Sequence, residues 1–167
     1  MTLTLRSPAF ASQGELPARF AAEGGNQSPP LEWDGVPEGT RSLALLVHDP
    51  DAPDPAAPKR DFVHWVVYDL PAASGRLDEG ASGTPLPGGA SEGRNDKGDA
   101  GYTGPKPPVG RHRYFFRLHA LDVTLGDRGP LDRRALDLAM DGHVLAAAEL
   151  VGTYAAAEDR RGAEDAR

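Results

Sequence analysis

The 167-residue sequence predicts a mainly β protein, a β-sandwich with a helical C-terminal appendage. Three observations carry that prediction. Ser42 to His48, Phe62 to Asp69 and His112 to Asp122 are short, rich in branched and aromatic residues, and bounded by glycine, proline or aspartate, which is the pattern of strands. The connection between the first two reads "DPDAPDPAAPKRD"; its prolines Pro50, Pro53, Pro55 and Pro58 exclude the crossover helix that a parallel sheet requires. Only one stretch, late in the chain, has a strong helical signal.

The elements follow in order. "LTLRS" near the start is a weak strand. Leu45, Leu46 and Val47 then run straight into Asp49, Asp51 and Asp54. An EF-hand counted from Asp49 would need glycine at Asp54 and glutamate at Arg60, so calcium is disfavoured. Two readings stay open: the aspartates cap a strand-ending turn held by Pro50 and Pro53, or one of them points a carboxylate into a cleft at a sheet edge. In "FVHWVVYD" the period of two places Phe62, His64, Val66 and Tyr68 on one face, so His64 shares the apolar side.

The segment from Gly80 to Gly110 is too long to be an idle connection. Its first half, to Gly93, has little to bury and is expected to be mobile; its second half carries Tyr102, Pro105, Pro107 and Pro108 and is expected to pack. In "HRYFFRLHALD", His112, Tyr114, Phe116, Leu118 and Ala120 point inward while Arg113, Phe115, Arg117 and His119 form the other face. The helical stretch is "LDRRALDLAMDGHVLAAAE", with Asp132 as N-cap and an interruption at Gly142. Glu149 to Ala155 reads as a last strand. Residues 1–157 are expected to form a single domain, and the charged residues 158–167 a disordered tail.

Composition narrows the function classes. The chain has no cysteine, which excludes disulfides and thiolate chemistry and asks for no oxidising compartment. The first residues lack a signal-peptide pattern, and no window is apolar enough to span a membrane, so a cytoplasmic location and no stable membrane insertion are expected. A formal charge of -7 opposes nucleic acid as a partner, and the alternating "RHRYFFR" reads as a solvated sheet face. Glycine (20) and proline (16) exceed their usual joint share of about 12%, which fits long ordered loops. Arginine far outnumbers lysine, a bias given no functional weight. Asp49, His64 and His112 can be drawn as an open metal site, but no spacing demands it, so no metal or cofactor is expected. There is no G-x-S-x-G elbow and no phosphate-loop pattern; Ser28, before Pro29 and Pro30, has no assigned base.

"GGNQSPPLEW", "DPDAP", "HWVVYDLP", "NDKGDAGYTGPKPPVGRHRY" and "MDGHVLAAAELVGTY" occur in the order and spacing of the phosphatidylethanolamine-binding protein family. The sequence resembles most its bacterial and archaeal branch, the Raf-kinase-inhibitor-like proteins, from about Phe20 to Tyr154. The resemblance implies a β-sandwich of two antiparallel sheets with C-terminal helices and a small anion pocket. It makes Asp49 the pocket carboxylate, His64 and His112 the pocket histidines, and Tyr114 the adjacent tyrosine. Gly104 and Pro105 become loop positions against the anion, and Asp51, Pro53 and Phe62 shape the pocket, with a cis Ala52-Pro53 bond. Three positions depart from the family pattern: no cysteine precedes "GGNQSPPL", Ala155 stands where arginine is usual, and Phe62 replaces a tryptophan common in eukaryotic members.

The reading that follows is a non-enzymatic protein recognising a phosphoryl or other small anionic group. His64, His112, Tyr114 and the Gly104 N–H are expected to donate to the anion while Asp49 orients a histidine. A homodimer is expected from the resemblance. Inhibition of a kinase or protease is the alternative, and a hydrolase using His64 or His112 as base lacks a nucleophile.

Overall fold

The computed structural model describes residues 2–126 and 128–160. Two antiparallel sheets make the sandwich. The smaller contains β1 (Thr4–Arg6), β2 (Leu31–Asp34) and β5 (Gly75–Leu77) in the order β1-β2-β5. The larger has the order β6-β4-β3-β7-β8, from β3 (Ser42–Ala52), β4 (Arg60–Leu70), β6 (Ser91–Glu92), β7 (Arg111–Leu121) and β8 (Val144–Ala155). The helix α1 (Arg133–Met140) lies between β7 and β8 in sequence, and residues 157–160 are helical after β8. No helix among the described residues is long and apolar enough to cross a membrane.

The central position of β3 explains its unbroken apolar run. Its two faces belong to different cores, so alternation would bury polar side chains on one of them. Leu43, Leu45 and Val47 join Trp33, Trp65, Phe116 and Leu118 between the sheets. Ala44 and Leu46 join Val66, Tyr68, Leu136 and Met140 under the helix. A fully buried residue of this size contributes roughly 2 kcal/mol through burial. β7 keeps the inward set expected for it, with Tyr114, Phe116, Leu118 and Ala120 in the core between the sheets.

Two sequence expectations are corrected. The helical signal from Leu131 to Glu149 is used only to Met140: Asp132 caps the start through Ala135 N, and Gly142, at φ 78°, turns the chain. The alanines beyond it pair with β7, Ala146 opposite Ala120 and Ala148 opposite Leu118, because burial against a waiting strand outweighs the helix propensity of alanine. The Gly80–Gly93 segment is tied down through hydrogen bonds instead of apolar bulk. Ser28 Oγ accepts from Ser82 N, Glu92 accepts from both Trp65 Nε1 and Gly83 N, and Leu86 is buried. At the start of the charged C-terminal segment, Asp159 accepts from Gly110 N and Arg160 lies over Tyr154; the rest of the expected tail, 161–167, lies outside the described residues.

Candidate functional site

Two irregularities in the pairing of β3 with β4 build the site. Val47 pairs with Trp65 but His48 pairs with Val63, which leaves His64 as the extra residue of a bulge. The bulge breaks the period of two. Val66 and Tyr68 fall on the helix side, whereas His64 meets Phe62 (ring centroids 4.8 Å) and Tyr114 (5.2 Å) on the other. The face assignment made by strict alternation is therefore wrong for Val66 and Tyr68 and right for Phe62 with His64. The second irregularity, between Asp49 and Ala52, carries β3 on through "DPDA" to a cis Ala52-Pro53 bond. Asp49 Oδ1 accepts from Asp51 N (2.8 Å), as a turn-capping carboxylate would, and the residue lines a cleft, although on the central strand of the sheet and not at its edge.

That cleft has a volume of about 440 Å³. Asp49, His64, His112 and Tyr114 form its floor, Pro53, Phe62, Gly104, Pro107 and Pro108 its walls, and Arg60, Lys97, Lys106 and Glu23 stand at its rim. Lys106 is paired with Glu23 at 3.3 Å, so Arg60 and Lys97 supply the uncompensated positive charge. Arg60 also lies over the Phe62 ring, 5.0 Å from its centroid.

The hydrogen bonds decide what each floor group offers. His112 is held at both ring nitrogens: Nε2 donates to Val109 O (2.9 Å), and Nδ1 lies 2.6 Å from Asp49 Oδ2. His64 Nδ1 lies 2.7 Å from Thr103 O, and a carbonyl only accepts, so the proton sits on Nδ1. No partner among the described residues meets Nε2, which therefore presents a lone pair. Burial pushes the His64 imidazolium down to about 4, against the opposing bond to Thr103, so the ring is neutral at neutral pH. Burial raises the Asp49 carboxyl, with His112 opposing, and burial raises the Tyr114 phenol, which stays a hydroxyl. The Tyr114 O–H has no protein partner among the described residues and is the donor of the floor.

Several expected roles change. Gly104 lines the cleft, but its N–H is spent on Asn26 Oδ1 (2.7 Å) and cannot serve an anion. Its small size matters instead, since a Cβ there would stand 2.2 Å from Phe20 O. Pro105 faces a neighbouring groove and its carbonyl accepts from Ala22 N. Asp51 lies behind the cleft, where its carboxylate takes Arg113 Nε, Nη2 and backbone N at 3.0, 2.8 and 2.9 Å, locking the end of β3 to β7. His112 cannot donate to a ligand without giving up a partner, nor can it ligate a metal; among the described residues no group of three His, Asp or Glu is arranged to hold one.

Sequence reasoning missed Asn26, Thr103, Arg60 and Lys97. Asn26 sits at φ 54°, a conformation asparagine tolerates, and this turns its side chain back to Gly104. A usable signal existed for the lysine: the chain has only Lys59, Lys97 and Lys106, and two of these line the cleft.

The model of the family described as phosphatidylethanolamine-binding protein matches residues 6–155. A UPF0098 protein of Methanothermobacter thermautotrophicus is 44% identical over 153 residues, 91% of this chain and 98% of the relative. A putative phosphatidylethanolamine-binding protein homolog from Chlamydia trachomatis superposes with TM-score 0.83 at 40% identity, covering 92% of this chain and 97% of that one. E. coli YbcL, described as a member of the mammalian family, gives TM-score 0.80 at 35% identity over 93% and 99%. The bulge that seats His64, the carboxylate of "DPDAP" and the histidine of "GRHRY" thus converge on one cleft within a shared fold and sequence, and the chain belongs to the phosphatidylethanolamine-binding protein family.

Proposed function

We propose that this chain is a non-catalytic binding protein that recognises a phosphoryl group, free or carried on a larger molecule, in the cleft between β3, β4 and β7. The observation that carries this reading is the arrangement of charge. Arg60 and Lys97 stand at the rim of a small concave site in a chain of net charge -7, while the buried floor holds Tyr114 as a donor. A local cationic rim on an acidic protein concentrates an anion at that point and repels it elsewhere. The non-catalytic part of the reading is supported by His112, whose two nitrogens are both engaged, and by His64, whose ring is held at about 4 by burial and is a weak base.

Titration calorimetry with inorganic phosphate at low ionic strength tests the reading. Millimolar binding is expected, weakened at least several-fold in Arg60→Ala/Lys97→Ala, with the difference shrinking as salt screens the rim. Affinity unchanged in that variant would sink it. Turnover of a phosphate ester, abolished by His64→Ala, would replace it with a hydrolase.

A further inference from the structure

The floor of the cleft is richer in acceptors than an anion site should be. His64 is clamped to Thr103 twice: its Nδ1–H donates to Thr103 O at 2.7 Å, and Thr103 N donates to His64 O at 2.9 Å. A ring flip that turned Nδ1–H toward a ligand would break the first bond and leave a buried carbonyl unpaired, at a cost of about 1–3 kcal/mol. Nε2 is therefore kept as a lone pair. Asp49 offers only lone pairs beyond the bonds it already accepts, and His112 has no free N–H. Tyr114 alone donates. An anion drawn in by Arg60 and Lys97 thus meets a nitrogen lone pair where a fully ionised oxygen would be repelled.

Resting on the phosphoryl-binding reading, we infer that the cleft selects oxyanions that bring their own proton: the monoanion of a phosphate monoester, dihydrogenphosphate or hydrogenphosphate, whose P–O–H donates to His64 Nε2. A sulfate or a phosphate diester has no such proton near neutral pH and is disfavoured.

The surroundings of His64 do not supply the missing proton. On β3, Asp49 is engaged with His112, and His48 is paired with Asp61 of β4 at 2.8 Å. On β7, Tyr114 lies edge-on to the ring, and His112 has both nitrogens engaged. The rim cations Arg60, Lys97 and Lys106, with Glu23, complete the set. Holding His64 at about 4 makes its protonation at pH 7 cost a factor on the order of 1,000, whereas hydrogenphosphate already carries a P–O–H and a monoester, with a second ionisation near pH 6, regains one at a factor of only about 10. A preference of roughly tenfold or more for phosphate or a monoester over sulfate follows.

Calorimetric titrations at matched ionic strength test this with six probes: phosphate, arsenate and methyl phosphate, which carry an ionisable proton, against sulfate, selenate and dimethyl phosphate, which do not. The first three are expected to bind, with methyl phosphate affinity falling between pH 6 and 8 as its last proton leaves while hydrogenphosphate and hydrogenarsenate each keep one, and the second three to bind at least tenfold more weakly at pH 7. Methyl phosphate equal to or tighter than phosphate would identify an esterified source, and weaker binding a free ion. Sulfate within threefold of phosphate would overturn the selectivity while leaving the anion cleft standing; no binding by any probe would overturn both. His64→Gln, which places an amide donor at that position, is expected to narrow the phosphate-to-sulfate ratio. Should that variant not fold, the ring nitrogen shifts of His64 in the native protein decide, with a protonated Nε2 at pH 7 refuting the proposal.

Discussion

His112 Nδ1 and Asp49 Oδ2 lie 2.6 Å apart, both side chains buried, and the opposite nitrogen of the same ring donates to Val109 O. One proton therefore lies between β3 and β7 at the floor of the cleft, and the imidazole acts as a brace. Removing either partner leaves the other buried without its mate.

His112→Ala is expected to destabilise the fold by about 3 kcal/mol, because the buried Asp49 Oδ2 is then left without its partner. Asp49→Asn, which keeps an acceptor for Asp51 N, is expected to cost less than Asp49→Ala. Urea unfolding of the two single Ala variants and the double variant checks this. A double-mutant coupling below about 0.5 kcal/mol would mean that the pair does not act as a unit.

Stability should fall on acidification between pH 6.5 and 4. His64, His48 and His119 are all held below their ordinary value, burial being the largest cause in each. In that window the unfolded chain binds protons that the folded chain refuses, so stability rises with pH through it and is lost as pH falls. For His64, moved from 6.5 to about 4, the effect is on the order of 3 kcal/mol. Asp49 runs the other way, since a raised carboxyl favours the folded state at lower pH. Denaturation midpoints across this range should flatten in His64→Phe, and a slope identical to that of the native protein would refute the assignment.

Asp51→Ala is expected to cost about 2 kcal/mol, more than Arg113→Ala. Removing the carboxylate strips both the guanidinium and the backbone N–H of Arg113 of an acceptor, whereas the guanidinium itself is largely in water, where such a pair contributes about 1 kcal/mol or less. Thermal unfolding of both variants orders them.

Gly104→Ala is expected to be destabilising by roughly 1–3 kcal/mol, because the new Cβ meets the backbone of Phe20 and Ala22 and has no flexible side chain to displace. Asn26→Ala should weaken the same clamp by leaving Gly104 N without its acceptor. Both should loosen phosphate binding together with stability, measurable by calorimetry and urea midpoint on the same samples.

The mainly β class, three of the four long strands, the inward face of β7 and the Asp132 cap could all be read from the chain. Each rests on local chemistry: branched side chains in short runs, prolines that forbid a crossover, and a carboxylate placed to accept from the first helical turn. The membership of Asp49, His64, His112 and Tyr114 in one site was legible through resemblance. What each of them offers a ligand was not. The bulge that puts His64 beside Tyr114 depends on the pairing of β4 with β3, a partner that the local sequence does not specify. The carbonyl that fixes its tautomer comes from Thr103, the acceptor that occupies Gly104 N comes from Asn26, and the proton of the floor is shared between strands far apart in sequence. Alanines 146–148 became strand instead of helix for the same reason. The sequence by itself determined which residues are apolar, which turn the chain and which can titrate. Only the tertiary structure decided which way a hydrogen bond runs, because donor and acceptor roles belong to pairs and the pairs form when the sheets close.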